Sequence, residues 1–112
     1  MELYRVIDEI HGCSQRLSQA ADSLFLLAKK KAESEREYRH ALALKIMELR
    51  DQGLPATLIG DMARGELAEL LFQRDLAESR YRAGIEAVDA LKSQLSALQT
   101  IIKFQRDLEG LG

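Results

Sequence analysis

The stretch Gln52–Glu66, QGLPATLIGDMARGE, separates two long segments made almost entirely of helix-forming residues. It holds the only proline of the chain, Pro55, and three of its seven glycines, Gly53, Gly60 and Gly65. Proline and glycine end helices and allow the chain to turn. The sequence therefore predicts a long helical hairpin that turns within this stretch, so that its two helices run antiparallel.

The composition predicts an all-α fold. Of the 112 residues, 30% are charged and 46% are apolar, and Leu, Ala, Glu, Arg, Lys and Gln dominate while β-branched residues are scarce. These residue types favour helices over strands. We predict one helical domain over residues 1–112, with a first arm (1–52), a corner that contains a short helix (53–65) and a second arm (66–108).

The sequence of the first arm predicts a seam, meaning a stripe of apolar or small residues that lies buried along one face of the helix. Its members recur at alternating spacings of four and three residues: Leu3, Ile7, Ile10, Ser14, Leu17, Ala21, Leu24 and Ala28. Gly12 costs about 1 kcal/mol relative to alanine inside a helix, and Ser14 is a suitable N-cap. The sequence thus leaves open a break near residues 12–14, with residues 1–13 as a separate helix.

The second arm has a more regular seam, in which only Arg74 is polar. Its members are Leu67, Leu70, Arg74, Ala77, Tyr81, Gly84, Val88, Leu91, Leu95, Leu98 and Ile102. Such a sustained repeat predicts coiled-coil-like packing. Further apolar residues lie off this seam and need a second neighbour, namely Leu71, Ile85, Ile101 and Phe104. We therefore predict a homodimer in which two hairpins form an antiparallel four-helix bundle.

Two versions of the corner are consistent with the sequence. In the first, a short helix starts at Pro55 and places an apolar plug over the end of the bundle. This plug would consist of Leu54, Leu58, Ile59 and Met62. In the second, Asp61 caps a helix that begins at Met62 and continues through Gly65. Because binding residues concentrate at exposed tips, Asp61 and Arg64 are candidate partner contacts, or simply a capping pair.

The segment Lys29–Glu37, KKKAESERE, has two interpretations. In one, basic side chains contact nucleic acid, and the candidates are Lys29, Lys30, Lys31, Arg36 and Arg39. In the other, the segment is a solvated helix with oppositely charged side chains four residues apart. Those pairs would be Lys29–Glu33, Lys31–Glu35 and Glu35–Arg39. The second interpretation is favoured, because runs of mixed charge are typical of exposed helices.

No motif in the chain predicts catalysis, a metal site or a cofactor. His11 and Cys13 are two residues apart and point to different helical faces. HExxH, CxxC and GxxxxGK[ST] motifs are missing from the sequence. We therefore expect no enzyme activity, no metal and no cofactor, and we interpret Cys13 as a small packing residue.

Charge and hydropathy predict a cytoplasmic protein. The net charge of −2 argues against a basic surface that coats nucleic acid, although a local contact is not excluded. The single cysteine fits a reducing compartment. The N-terminal residues do not resemble a signal peptide, and the longest apolar run is far below the roughly 20 residues that a membrane span requires.

Residues 33–99 resemble small all-helical proteins encoded in phages and prophages of Gram-positive bacteria. The features shared with that family are an acidic–basic stretch with Tyr-Arg, a G-x-P-A-T-x-I corner, an A-R-G turn and a long helix rich in Arg and Glu. Here they correspond to Glu35–Arg39, Gly53–Ile59, Ala63–Gly65 and Arg74–Tyr81. The resemblance implies an accessory role in DNA metabolism, in phage recombination or replication, without a defined biochemical activity.

Three functional hypotheses follow. The leading one is a non-enzymatic, phage-derived interaction protein that binds another macromolecule. The second is a nucleic-acid-binding accessory protein in phage recombination or replication. The third is an inhibitor that docks on a host protein through the corner.

Overall fold

The computed structural model describes residues 2–111, and these residues form three helices and no strand. Helix α1 is Leu3–Asp51, helix α2 is Ala56–Glu66 and helix α3 is Ala68–Leu111. The all-α prediction is therefore confirmed for this part of the chain. Met1 and Gly112, which the predicted domain includes, lie outside the described residues.

The helices pack as two compact units. The first unit combines the chain up to Phe25 with the chain from Ala83 onward, and the second unit is Leu26–Arg82. Both long helices contribute residues to both units, because α1 and α3 each continue across a unit boundary. The organisation as a single domain stays a prediction.

Helix α1 continues through Gly12, so the break considered near residues 12–14 is absent. The core of the first unit explains this continuity. Val6 and Cys13 are fully buried on either side of Gly12 and pack with Leu98. Partly buried residues surround these three, namely Ile10, Leu91, Leu95 and Ile102. Burial on both sides of the glycine offsets its cost of about 1 kcal/mol.

The predicted seam of α1 is only half correct. Leu3 and Ile10 are partly buried as expected. The alternate positions were assigned to the wrong side, since Val6 is buried whereas Ile7 is 50% exposed, and Cys13 is buried whereas Ser14 is exposed. Both choices give alternating spacings of three and four along α1, so the residues of α3 decide which side of the helix is covered.

The predicted seam of α3 agrees with the observed burial. Ala77, Val88 and Leu98 are buried, and each remaining member from Leu67 to Ile102 is partly buried. Among the partly buried members is Arg74, the one polar position.

In the second unit, α1 and α3 run antiparallel. The Lys31 ammonium lies 5.8 Å from the centre of the Tyr81 ring. One heptad further along α1, the Tyr38 ring lies 4.7 Å from the Arg74 guanidinium carbon. Residue numbers therefore rise along α1 as they fall along α3. In both contacts a cation stacks over an aromatic face of the opposite helix, which is a favourable arrangement.

The corner begins with a left-handed residue. Gly53 has φ of 81°, and its N–H donates to the carbonyl oxygen of Arg50 at 3.0 Å. Pro55 follows in an extended conformation immediately before α2. Of the two predicted versions of the corner, the structure agrees with the short helix that starts at Pro55. Asp61 lies inside this helix and does not cap another one.

Helix α2 packs on the end of α1 through one face. Ile59 and Ala63, four residues apart, are buried with Leu49, and Leu42, Ile46 and Leu54 surround them. The predicted plug is therefore wrong in part, because Leu58 is 49% exposed and Met62 is 39% exposed. In a helix anchored through positions 59 and 63, these two side chains lie on a neighbouring face that α1 does not cover.

Two glycine substitutions should have opposite effects on stability. Gly53→Ala should lower the free energy of unfolding by about 1 kcal/mol, because an L-residue at this positive φ is strained. Gly65→Ala should raise it by about 0.5–1 kcal/mol, because Gly65 has no positive φ and an added Cβ would meet no atom within 4 Å. Urea denaturation followed by circular dichroism would measure both. Equal effects of the two substitutions would contradict the observed corner geometry.

Candidate partner-binding site at the corner

The candidate site is the outer face of α2, formed by Leu58, Asp61, Met62 and Arg64. The opposite face of the same short helix is anchored by Ile59 and Ala63. The anchor holds the outer residues in fixed positions at the end of α1. The site therefore presents two apolar side chains next to two charged ones on a packed helix.

Asp61 and Arg64 are paired with each other. The guanidinium Nη2 of Arg64 donates to Oδ1 of Asp61 at 2.7 Å, and the side chains of Arg64 and Asp61 are 53% and 84% exposed, respectively. The guanidinium also lies over Gly60, since a Cβ added there would be 3.5 Å from Nη2. Exposed ion pairs of this kind contribute little to stability. Both charges are thus available at the surface without being needed for the fold.

Lys45 ties α1 to the C-terminal end of α2. Its ammonium lies 3.0 Å from Glu48 Oε2 and 3.1 Å from Glu66 Oε2. The hydrogen bond to Glu48, followed by that to Glu66, raises the pKa of Lys45 above its ordinary value of 10.5. Neither Lys45 nor Glu66 was a sequence-predicted site residue. Their pairing could not be predicted from the sequence, because the two residues are distant along the chain and come together only once α2 folds onto α1.

The structure places the basic candidates in different surroundings. Lys29 lies 4.0 Å from Glu33, and Arg39 donates to Glu35 at 2.9 Å, so two of the predicted i, i+4 pairs are confirmed. Lys31 is partly buried and contacts Tyr81. Lys30 and Arg36 are exposed on α1. The five side chains therefore do not form one continuous basic surface.

The remaining reactive side chains named in the sequence analysis, Cys13 and His11, both lie on α1. Cys13 is buried, as its interpretation as a packing residue requires, and its thiol donates to the carbonyl oxygen of Leu91 at 3.4 Å. His11 is exposed on the same helix. Within residues 2–111, no group of three or more His, Cys, Asp or Glu residues is positioned to hold a metal ion.

Comparison with protein-family models, with curated proteins and with solved structures found no match for this chain. The resemblance to phage and prophage proteins stays a prediction. Across the described helices, no segment combines the length and the apolar character needed to cross a membrane.

Lys45→Met should reduce stability at neutral pH but not at strongly alkaline pH. Because folding raises the pKa of Lys45, its contribution is fully present below the unfolded value of 10.5 and is lost as pH rises through the higher folded value. The difference in unfolding free energy between wild type and variant should be constant from about pH 7 to 9 and shrink above about 10.5.

Urea denaturation at several pH values would measure this difference. Lys92→Met, which removes an exposed lysine of α3, is the control and should change stability little at any of these pH values. A gap between wild type and Lys45→Met that persists undiminished above the folded pKa would contradict the role assigned to Lys45.

Proposed function

We propose that this protein is a non-enzymatic, all-helical interaction protein that binds another macromolecule through the outer face of α2. One observation carries the proposal: Leu58 and Met62 remain exposed beside Asp61 and Arg64, on a helix whose other face is buried. Protein interfaces commonly combine an apolar centre with a polar rim. Rigid support from beneath reduces the ordering cost of binding.

The setting we propose is the cytoplasm of a bacterial host in which a phage or prophage encodes the protein. The resemblance of residues 33–99 to phage and prophage proteins supports this setting. The partner at the corner would be a host or phage protein, and inhibition of a host protein is one form that such binding takes.

We also propose that the chain is a homodimer in which two antiparallel hairpins form a four-helix, coiled-coil-like bundle. Support comes from large apolar side chains that α1 does not cover on α3. In the first unit Phe104 is 64% exposed and Ile85 is 37% exposed. An apolar face on the outside of a helix calls for a second neighbour.

Replacing the charged pair at the corner should strongly reduce partner capture. Tagged Asp61→Ala/Arg64→Ala protein should capture about one tenth as much partner as wild type, or less. Hot-spot residues commonly lose about 1.4 kcal/mol or more of binding free energy when truncated, which corresponds to about tenfold. Affinity capture from nuclease-treated host cells, quantified by mass spectrometry, would measure this loss.

A matched control is available on α3. Glu78 and Arg82 form an exposed ion pair at 2.8 Å, similar in kind to the pair at the corner. Glu78→Ala/Arg82→Ala should capture the partner as wild type does. Equal capture by wild type and by the corner variant would refute the proposed site.

A second candidate function is nucleic-acid binding through α1. The exposure of Lys30 and Arg36, together with the paired but exposed Lys29 and Arg39, is the observation that favours it. These side chains could contact phosphates, and such contacts would be sensitive to salt. The acidic partners of Lys29 and Arg39 would then have to be displaced.

If nucleic acid is bound, Lys30→Ala/Arg36→Ala should weaken DNA binding and lower the salt slope by about one for each phosphate that is no longer neutralised. Fluorescence anisotropy with labelled single- and double-stranded DNA at several salt concentrations would measure both quantities. The control is Lys92→Ala/Arg106→Ala, which removes the same charge from exposed positions of α3. No binding by wild type at low salt would eliminate this function.

A further inference from the structure

A second stripe of uncharged residues follows α3 through the first unit, beside the seam that packs on α1. Its members recur at alternating spacings of four and three, and every one of them is exposed. In chain order they are Ala83, Ala87, Ala90, Gln94, Ala97, Ile101, Phe104 and Leu108. We call this set the α3 stripe. It extends over about 38 Å of helix at 1.5 Å per residue.

The two halves of the α3 stripe differ in side-chain size. The N-terminal half carries only alanines at its apolar positions, whereas the C-terminal half carries Ile101, Phe104 and Leu108. These three large side chains are 38%, 64% and 53% exposed. A helix that is apolar on two adjoining faces usually packs against two neighbours, and α1 covers only one of these faces.

We infer that the α3 stripe pairs with the α3 stripe of a second copy of the chain, antiparallel about a two-fold axis between residues 95 and 96. The pairing rests on the homodimer proposed above and specifies its surface. An isologous contact of this kind uses the same surface patch on both copies.

Side-chain sizes match in this pairing. Each small residue of one copy faces a large residue of the other, and the two residues nearest the axis face each other. The pairs are Ala83 with the partner's Leu108, Ala87 with the partner's Phe104, Ala90 with the partner's Ile101, and Gln94 with the partner's Ala97. Packing of large against small fills space without voids or overlap.

Charges do not select the orientation. Glu86 and Asp107 flank the α3 stripe at equivalent positions, one residue before Ala87 and one residue before Leu108, and both are exposed. Antiparallel pairing brings Glu86 near the partner's Asp107, so the orientation rests on side-chain size.

A parallel arrangement of the same two stripes is disfavoured by side-chain size. It would place Phe104 against the partner's Phe104 and alanine against alanine, so the interface would be overfilled at one end and loose at the other. Side-chain size thus favours the antiparallel orientation.

Two adjacent residues provide a matched test of the surface. Ala97→Glu puts a charge into the α3 stripe, and Ser96→Glu puts the same charge on an exposed position outside it. Burial of an unpaired charge is unfavourable. We expect Ala97→Glu to raise the dimer dissociation constant by about tenfold or more, while Ser96→Glu leaves it within about threefold of wild type. Sedimentation equilibrium would measure both constants.

A size exchange tests the orientation. Ala87→Phe and Phe104→Ala should each weaken the dimer by about tenfold. The double variant Ala87→Phe/Phe104→Ala should recover to within about threefold of wild type, because each new phenylalanine then faces a new alanine of the partner. Both positions are exposed in the single chain, so circular dichroism should show unchanged helix content in all of the variants.

The outcomes separate the pairing from the homodimer itself. A wild-type dimer that Ala97→Glu leaves intact would overturn the pairing through the α3 stripe but retain the homodimer. A dimer that Ala97→Glu weakens but the size exchange does not restore would overturn the antiparallel pairing. Wild type that remains a folded monomer at about 100 μM, a concentration at which a dimer this well matched should form, would overturn both proposals.

Discussion

Each long helix can bury only one stripe of its surface against the other, and this constraint determines what every remaining face can do. In the first unit the covered stripe includes Val6, Cys13 and Leu98. In the second unit Leu49 of α1 is covered by Ile59 and Ala63 of α2. Two-helix packing hides too little surface to remove all apolar side chains from water. The apolar residues left over therefore mark the surfaces on which the proposed contacts would form.

Some of the leftover residues belong to the two surfaces described above, which differ in character. At the corner, Leu58 and Met62 accompany a charged pair on a short helix. Such a surface is compact and mixed, which suits recognition of a different molecule. The α3 stripe is long, uncharged and self-complementary in size, which suits a second copy of the same chain. The two surfaces belong to different units, so variants of one can be tested without altering the other.

Burial could be predicted from the sequence only where neighbouring positions differ clearly in polarity. Along α3 the seam was predictable, because the positions next to it are often charged, as around Arg74 and Tyr81. Along α1 the prediction chose the wrong side at alternate positions, because neighbours such as Val6 and Ile7 are equally apolar. Only the packing of α3 distinguishes them, and that information is not local.

At the corner, too, the sequence predicts the local turn but not which side of the helix is buried. The turn at Gly53 and the short helix after Pro55 follow from local chemistry. The orientation of α2 does not, because Leu58, Ile59 and Met62 are all apolar, yet Ile59 is buried with Ala63 and the other two are exposed. The contact of Lys45 with Glu66 was likewise hidden, since it depends on that orientation.

Because Cys13 is completely buried, the single thiol of this chain can report opening of the first unit. Its sulfur is enclosed beside Leu91 and is inaccessible while the core is closed. A thiol reacts with reagents in solution only after the packed residues around it separate. The rate at which a probe labels Cys13 therefore reports the separation of α1 and α3 at this point without any engineered cysteine. It gives the open population when closing is faster than labelling, and the opening rate when labelling is faster.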